Sequence, residues 1–103
     1  MKTSELTGAA LDWAVLKAQG QNFTGFNLKY MDAYPFSTDW AQGGLIIDRE
    51  NITWDGQAAT LCRHVKGNYP KWSEYGPTPL VAAMRCFVAS KLGDTIDIPK
   101  ELS

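Results

Sequence analysis

The chain has 103 residues, 45% of them hydrophobic and 20% charged, ordinary proportions for a folded soluble domain, which excludes intrinsic disorder. Ten Lys and Arg against eleven Asp and Glu leave a formal net charge of −1. That balance argues against nucleic-acid binding, because phosphate contact requires a basic face. A chain of this length buries roughly 65% of its extended surface on folding, which suits a single domain over residues 1–103.

No apolar run approaches the ~20 residues of a membrane span, and the opening residues do not read as a secretory signal. Two cysteines, Cys62 and Cys86, make no disulfide framework, and a reducing cytosol suits them. Four Trp, four Tyr and four Phe are many for so short a chain, and most lie between the expected helices. They suit either a small core filled with large side chains or a stacking surface for a flat ligand.

In chain order, the first element is a helix. Thr7 is placed as its N-cap, and Leu6 with Leu11 forms a hydrophobic staple. Leu11, Ala14, Val15 and Ala18 recur at helical spacing, and Gly20 ends the run. Asp12 and Trp13 are expected off the apolar stripe, with Trp13 at a rim. Phe26, Leu28 and Tyr30 alternate as a strand does, up to Pro35. Ser37 or Thr38 is placed as the cap of a short helical turn through Asp39, Trp40 and Ala41, broken by Gly43-Gly44. Leu45, Ile46 and Ile47 then read as a buried strand and Asp48 to Asn51 as a turn. Ile52 and Trp54 alternate in a second strand, and Asp55-Gly56 is a hairpin signal. Ala59, Leu61, Arg63 and Val65 make a third, which completes an antiparallel meander.

Gly67 to Gly76 reads as a loop rich in turn formers and aromatics. The next helix has the clearest boundary, with Thr78 as N-cap, Pro79 in the first position and Gly93 as the stop. It is apolar nearly all round, which marks it as central and packed on a sheet and against another helix or subunit. Ile96 and Ile98 alternate in a possible edge strand ended by Pro99. The fold class is α+β, a small antiparallel sheet of three to four strands packed with two main helices.

Catalytic signals are weak. Cys62 and His64 are two residues apart without a second pair, so a zinc site lacks ligands and no metal is expected. A Cys–His nucleophile lacks an orienting acid. Asp39, Asp48, Asp55 and Glu74 all fall where turns place carboxylates for solvation or capping. Gln42-Gly43-Gly44-Leu45 lacks the spacing of a phosphate-cradling motif. A non-enzymatic chain without a cofactor is the expectation.

A binding constellation fits better. Trp72 and Tyr75 precede the helix start at Thr78, whose first turn attracts anions. Arg85 follows two turns along, amid apolar neighbours. It serves either as a structural cation paired with Asp39 or Asp94, or as a phosphate or carboxylate clamp. Asp39, Trp40, Gln42 and Gly43 offer acceptors, a stacking ring and close backbone approach. The ligand-binding set is therefore Asp39, Trp40, Gln42, Gly43, Trp72, Tyr75, Thr78 and Arg85, matched to a flat, polar, anionic ligand such as a nucleotide.

Three stretches also resemble a known family: the opening Met1 to Val15, Ser37-Thr38-Asp39-Trp40-Ala41-Gln42-Gly43-Gly44, and Gly76 to Cys86 with Val88-Ala89-Ser90-Lys91-Leu92-Gly93 after it. Together they look like the NinX-like group of small proteins from the nin region of lambdoid phages, a domain of unknown function. The resemblance covers nearly the whole chain. It implies an accessory phage protein of the host bacterial cytoplasm, dispensable for building virions. In that setting the leading expectation is a homo-oligomeric sponge that sequesters a nucleotide-type immune signal, such as a cyclic nucleotide or a cyclic ADP-ribose-like molecule. The alternatives are an inhibitor or adaptor that binds a host protein, and a small hydrolase of such signals using Asp39 or His64. Partners from the nucleic-acid and membrane classes are not expected.

Overall fold

A computed structural model describes residues 1–20, 31, 33–62 and 70–102. Three helices, α1 (Gly8–Ala18), α2 (Trp40–Glu50) and α3 (Pro79–Leu92), accompany three strands, β1 (Thr53–Trp54), β2 (Ala58–Cys62) and β3 (Lys71–Tyr75). The strands form one antiparallel sheet in the order β1-β2-β3. The α+β class therefore holds, with one more long helix than the sequence pattern indicated.

Helix α3 is the centre of the molecule. Leu80 to Ala89 are buried without interruption. The helix packs on β2 and β3 on one side and on α1 and α2 on others. Its apolar circumference is thus used up inside the chain. Thr78 Oγ1 accepts the Val81 N–H at 3.1 Å, and Pro79 takes the first position as expected. Gly93, at φ +90°, ends it in a backbone region that L side chains rarely adopt.

Helix α1 begins after Thr7, whose carbonyl accepts the Leu11 N–H at 3.3 Å. Asp12 and Trp13 are not at a rim. They are buried, because α1 is covered round most of its circumference rather than along one stripe. The Asp12 carboxylate accepts the Ser37 N–H at 2.8 Å, which ties α1 to the segment before α2.

Helix α2 replaces the expected turn, strand and turn. Asp39 is its cap, with Oδ1 accepting the Ala41 N–H at 2.9 Å, and Asn51 ends it in the left-handed region at φ 55°. The helix runs through both glycines. At Gly43 a Cβ would lie 2.3 Å from the Phe36 carbonyl oxygen and 2.6 Å from Leu80 Cδ1, so this glycine is a packing requirement and not a breaker. Gly43 and Ile46, three apart, form the buried face. The three-residue apolar run Leu45-Ile46-Ile47 belongs to a helix edge, and Leu45 points outward.

The hairpin at Asp55-Gly56 joins β1 to β2. Asp55 Oδ1 accepts from the Gln57 and Ala58 N–H groups at 2.9 and 2.8 Å, which holds this carboxyl below the usual aspartate range. The third strand, β3, comes from the expected aromatic loop. Its register pairs Ala59 with Glu74 and Leu61 with Trp72, which sets these four side chains on the helix-covered face. Thr60 and Ser73 stand opposite each other on the outer face, their hydroxyls 3.1 Å apart. Ile96 and Ile98 form no edge strand. Instead Thr95 makes a single bridge to Lys2, and the backbones of Met1 and Ile96 exchange hydrogen bonds of 3.0 and 3.1 Å. The expected strand at Phe26, Leu28 and Tyr30 lies outside the described residues, as do Arg63, His64 and Val65.

Candidate functional site: an aromatic-walled cleft

An apolar cleft of about 200 Å³ opens where α2, the β1–β2 hairpin and the start of α3 meet. Trp40 and Trp54 are its aromatic walls, and Ile47, Ile52, Ala59 and Ala83 form its floor. Each wall has a local cause. Trp40 is the first residue of α2, held at the helix rim and 57% exposed, whereas Trp54 sits on the short edge strand β1 and is 40% exposed. Because Trp54 pairs with Ala59, its ring is on the helix-covered face of the sheet, toward α2 and α3.

Pro79 also lines the cleft. The first residues of two helices, Trp40 of α2 and Pro79 of α3, therefore border one opening. A helix N-terminus carries a partial positive charge. Two of them at one mouth make it favourable for an anionic group, although the Asp39 carboxylate, capping α2, offsets part of this field.

Of the residues expected to bind a ligand, Trp40 lines the cleft. Asp39 and Thr78 stand one residue before its two helix starts, where both serve as caps. Gln42 donates from its side-chain amide to the Ala33 carbonyl at 3.3 Å, and Gly43 is buried against Phe36 and Leu80. Tyr75 is 68% exposed. Trp72 is half-buried against the core, and its carbonyl accepts from the Cys86 thiol at 3.1 Å. Neither Trp72 nor Tyr75 lines the cleft.

Arg85 points elsewhere. Its guanidinium donates from Nε to the Leu6 carbonyl and from a terminal nitrogen to the Tyr75 carbonyl, each at 2.8 Å. Its hydrogen bonds thus go to carbonyl oxygens and not to Asp39 or Asp94. Burial lowers its pKa, and the charge of Glu74 works against that shift. Glu74 itself is pushed above the usual glutamate range by burial and then by Asp94, and Arg85 opposes the shift.

Two further clefts carry charge. Lys2, Thr3, Ser4, Glu74, Asp94 and Thr95 surround one of about 250 Å³. Another, of about 220 Å³, lies where the C-terminal ends of all three helices meet, beside Arg49 and Lys91. Helix C-termini are electronegative, so those two cations compensate the helix ends. Among the described residues no group of three or more His, Cys, Asp or Glu is placed to hold a metal ion, and Cys86 is buried with its thiol pushed up to about 12.

Sequence reading missed Trp54 as a site residue. The available signal was its alternation with Ile52, which already put both on one face. Helix α2 was the missing piece, since it brings Trp40 and Ile47, two helical turns apart, to the cleft that Trp54 also lines.

These features define a small α+β protein with an aromatic-walled apolar cleft. A family model described as Bacteriophage P22, NinX matches residues 2–91. The chain belongs to this bacteriophage NinX family, whose description names no reaction. No curated protein matches the chain. Among the described residues no helix is long and apolar enough to cross a membrane.

Proposed function

We propose that the protein is a non-enzymatic phage accessory protein of the host cytoplasm that sequesters a nucleotide-type small molecule and so blunts a host signalling defence. The observation that carries this reading is the cleft between Trp40 and Trp54, with the starts of α2 and α3 at its mouth. A cavity of about 200 Å³ accommodates one flat ring system, and base stacking on an aromatic face contributes about 1–3 kcal/mol. The two helix starts favour the phosphates that follow the base, and the Asp39 carboxylate is an acceptor for sugar hydroxyls. No step of this account needs a nucleophile.

A second reading, an inhibitor or adaptor that binds a host protein, is favoured by one observation. The cleft lining is almost wholly apolar, and exposed Trp side chains are frequent anchors in protein interfaces. Heat release separates the readings. The protein is incubated with cyclic dinucleotides and with cyclic and linear ADP-ribose derivatives, washed, denatured, and the supernatant analysed by mass spectrometry. An intact nucleotide in stoichiometric amount supports sequestration, a chemically changed one supports hydrolysis, and a clean supernatant supports a protein partner.

A further inference from the structure

Helix α2 carries Trp40, yet it is the helix least held by burial. Of its 11 residues Gly43 and Ile46 are buried, whereas α1 buries Ala10 to Leu16 with Ala18, and α3 buries Leu80 to Ala89. Where α2 starts is therefore set largely by what fixes the segment before it.

That segment is tied to α1. Asp12 lies in the buried part of α1, and its carboxylate accepts the Ser37 N–H at 2.8 Å. The next two amides, of Thr38 and Asp39, both donate to the Pro35 carbonyl, at 3.2 and 2.8 Å. Asp39 then caps α2, whose first residue is Trp40. The backbone N–H groups of Ser37, Thr38 and Asp39 are thus all engaged, and the first of them is held from another helix.

We infer that Asp12 is a positioning residue for the cleft: from the buried α1 its carboxylate fixes the entry to α2, and with it the Trp40 ring. The effect on binding rests on the sequestration reading, whereas the effect on the placement of α2 does not.

A carboxylate is costly to bury unless a donor meets it, and burial does raise this carboxyl above the usual aspartate range. An apolar residue at this point of α1 would avoid that cost but could not accept an N–H. A charge-assisted bond to a backbone N–H is among the stronger hydrogen bonds. Gln42 also reaches back from α2, but its bond to the Ala33 carbonyl is longer, 3.3 Å, and exposed. Close packing passes the constraint on. The Phe36 carbonyl, one residue before Ser37, lies where a Cβ on Gly43 would collide with it, so a shift at Ser37 is felt directly by α2.

Residue-resolved amide hydrogen exchange, with calorimetric titration by cyclic ADP-ribose and by a cyclic dinucleotide, tests this on the wild type, Asp12→Ala and Asp12→Asn. In Asp12→Ala the amides of Ser37 to Gly43 are expected to exchange about 10-fold or more faster. Those of α3 should keep their protection, and affinity should fall about 5-fold or more. Asp12→Asn keeps an oxygen for the Ser37 N–H and should keep both the α2 protection and the affinity. Unchanged exchange at the start of α2 in Asp12→Ala overturns the inference, as does a uniform loss of protection through α3, unfolding included. So does an Asp12→Asn protein that behaves as Asp12→Ala, or a loosened α2 that binds as tightly as the wild type. A wild type that binds neither ligand, with α2 loosened in Asp12→Ala alone, upholds the placement of α2 by Asp12 and removes the sequestration reading.

Discussion

The Nε of Arg85 donates a 2.8 Å hydrogen bond to the carbonyl of Leu6, 79 residues earlier in the chain. With the second bond to Tyr75, one guanidinium joins the start of α1, the end of β3 and the middle of α3. Arg85→Ala leaves the buried Leu6 carbonyl and the part-buried Tyr75 carbonyl without their donor and is expected to destabilise the fold by about 2–3 kcal/mol. Arg85→Lys restores a charge but not the planar fork, and a loss of about 1 kcal/mol should remain. Urea denaturation of the two variants measures both. An Arg85→Ala protein of wild-type stability contradicts this role.

The adjacent glycines of α2 make opposite cases. Gly43→Ala drives a Cβ into the Phe36 carbonyl and Leu80, at a cost of about 2 kcal/mol. Gly44→Ala, where a Cβ meets only Trp40 Cε3 at 3.7 Å, gains about 0.5–1 kcal/mol of helix propensity. Thermal melts of the pair should move in opposite directions. Equal shifts would contradict the packing described at Gly43.

Burial raises the Asp12 carboxyl above the usual aspartate range, and hydrogen bonding from Ser37 offsets part of the shift. The folded protein therefore holds this proton more tightly than the unfolded chain does. The stability it contributes is complete below the unfolded pKa of about 3.9 and is lost as pH rises through the higher folded value. Asp12→Asn removes this loss and keeps an oxygen for the Ser37 N–H. The stability of Asp12→Asn relative to wild type should therefore grow as pH rises through that window and then level off. Urea midpoints at a series of pH values read it, and a difference that shrinks with pH contradicts the sign.

The two thiols should differ in reactivity. Cys62 is exposed, whereas Cys86 is buried and pushed up to about 12, so its thiolate is scarce at neutral pH. A disulfide-exchange reagent should titrate one thiol in the native protein and the second only after denaturation. Two rapid native thiols would show that α3 opens readily.

Much of this architecture was legible in the sequence because its signals are local. Thr78-Pro79 and Gly93 bound α3, and Asp55-Gly56 placed the hairpin. Helix α2 was hidden because a glycine pair and a β-branched run are both local arguments against a helix. The reason for Gly43 lies in Phe36 and Leu80, contacts that no local pattern reports. Strand β3 was hidden by the turn formers around it and by Glu74 on its inward face. That position is compatible with a carboxylate because Arg85 is nearby. The same long-range contacts decide the site. Trp40 stood out as a stacking ring, but its position opposite Trp54 depends on α2 being a helix. Arg85 looked suitable for a clamp because the groups that engage it are backbone carbonyls, one of them at Leu6, 79 residues earlier in the chain.

The central claim is that Trp40 and Trp54 together form the ligand site. Calorimetric titration of the wild type, Trp40→Ala and Trp54→Ala with cyclic ADP-ribose and with a cyclic dinucleotide tests it most directly. Saturable binding of one of these by the wild type is expected, weakened by about 10-fold or more in each variant, with the fold unchanged by circular dichroism. Absence of binding by the wild type, or equal affinity in all three proteins, would contradict the claim.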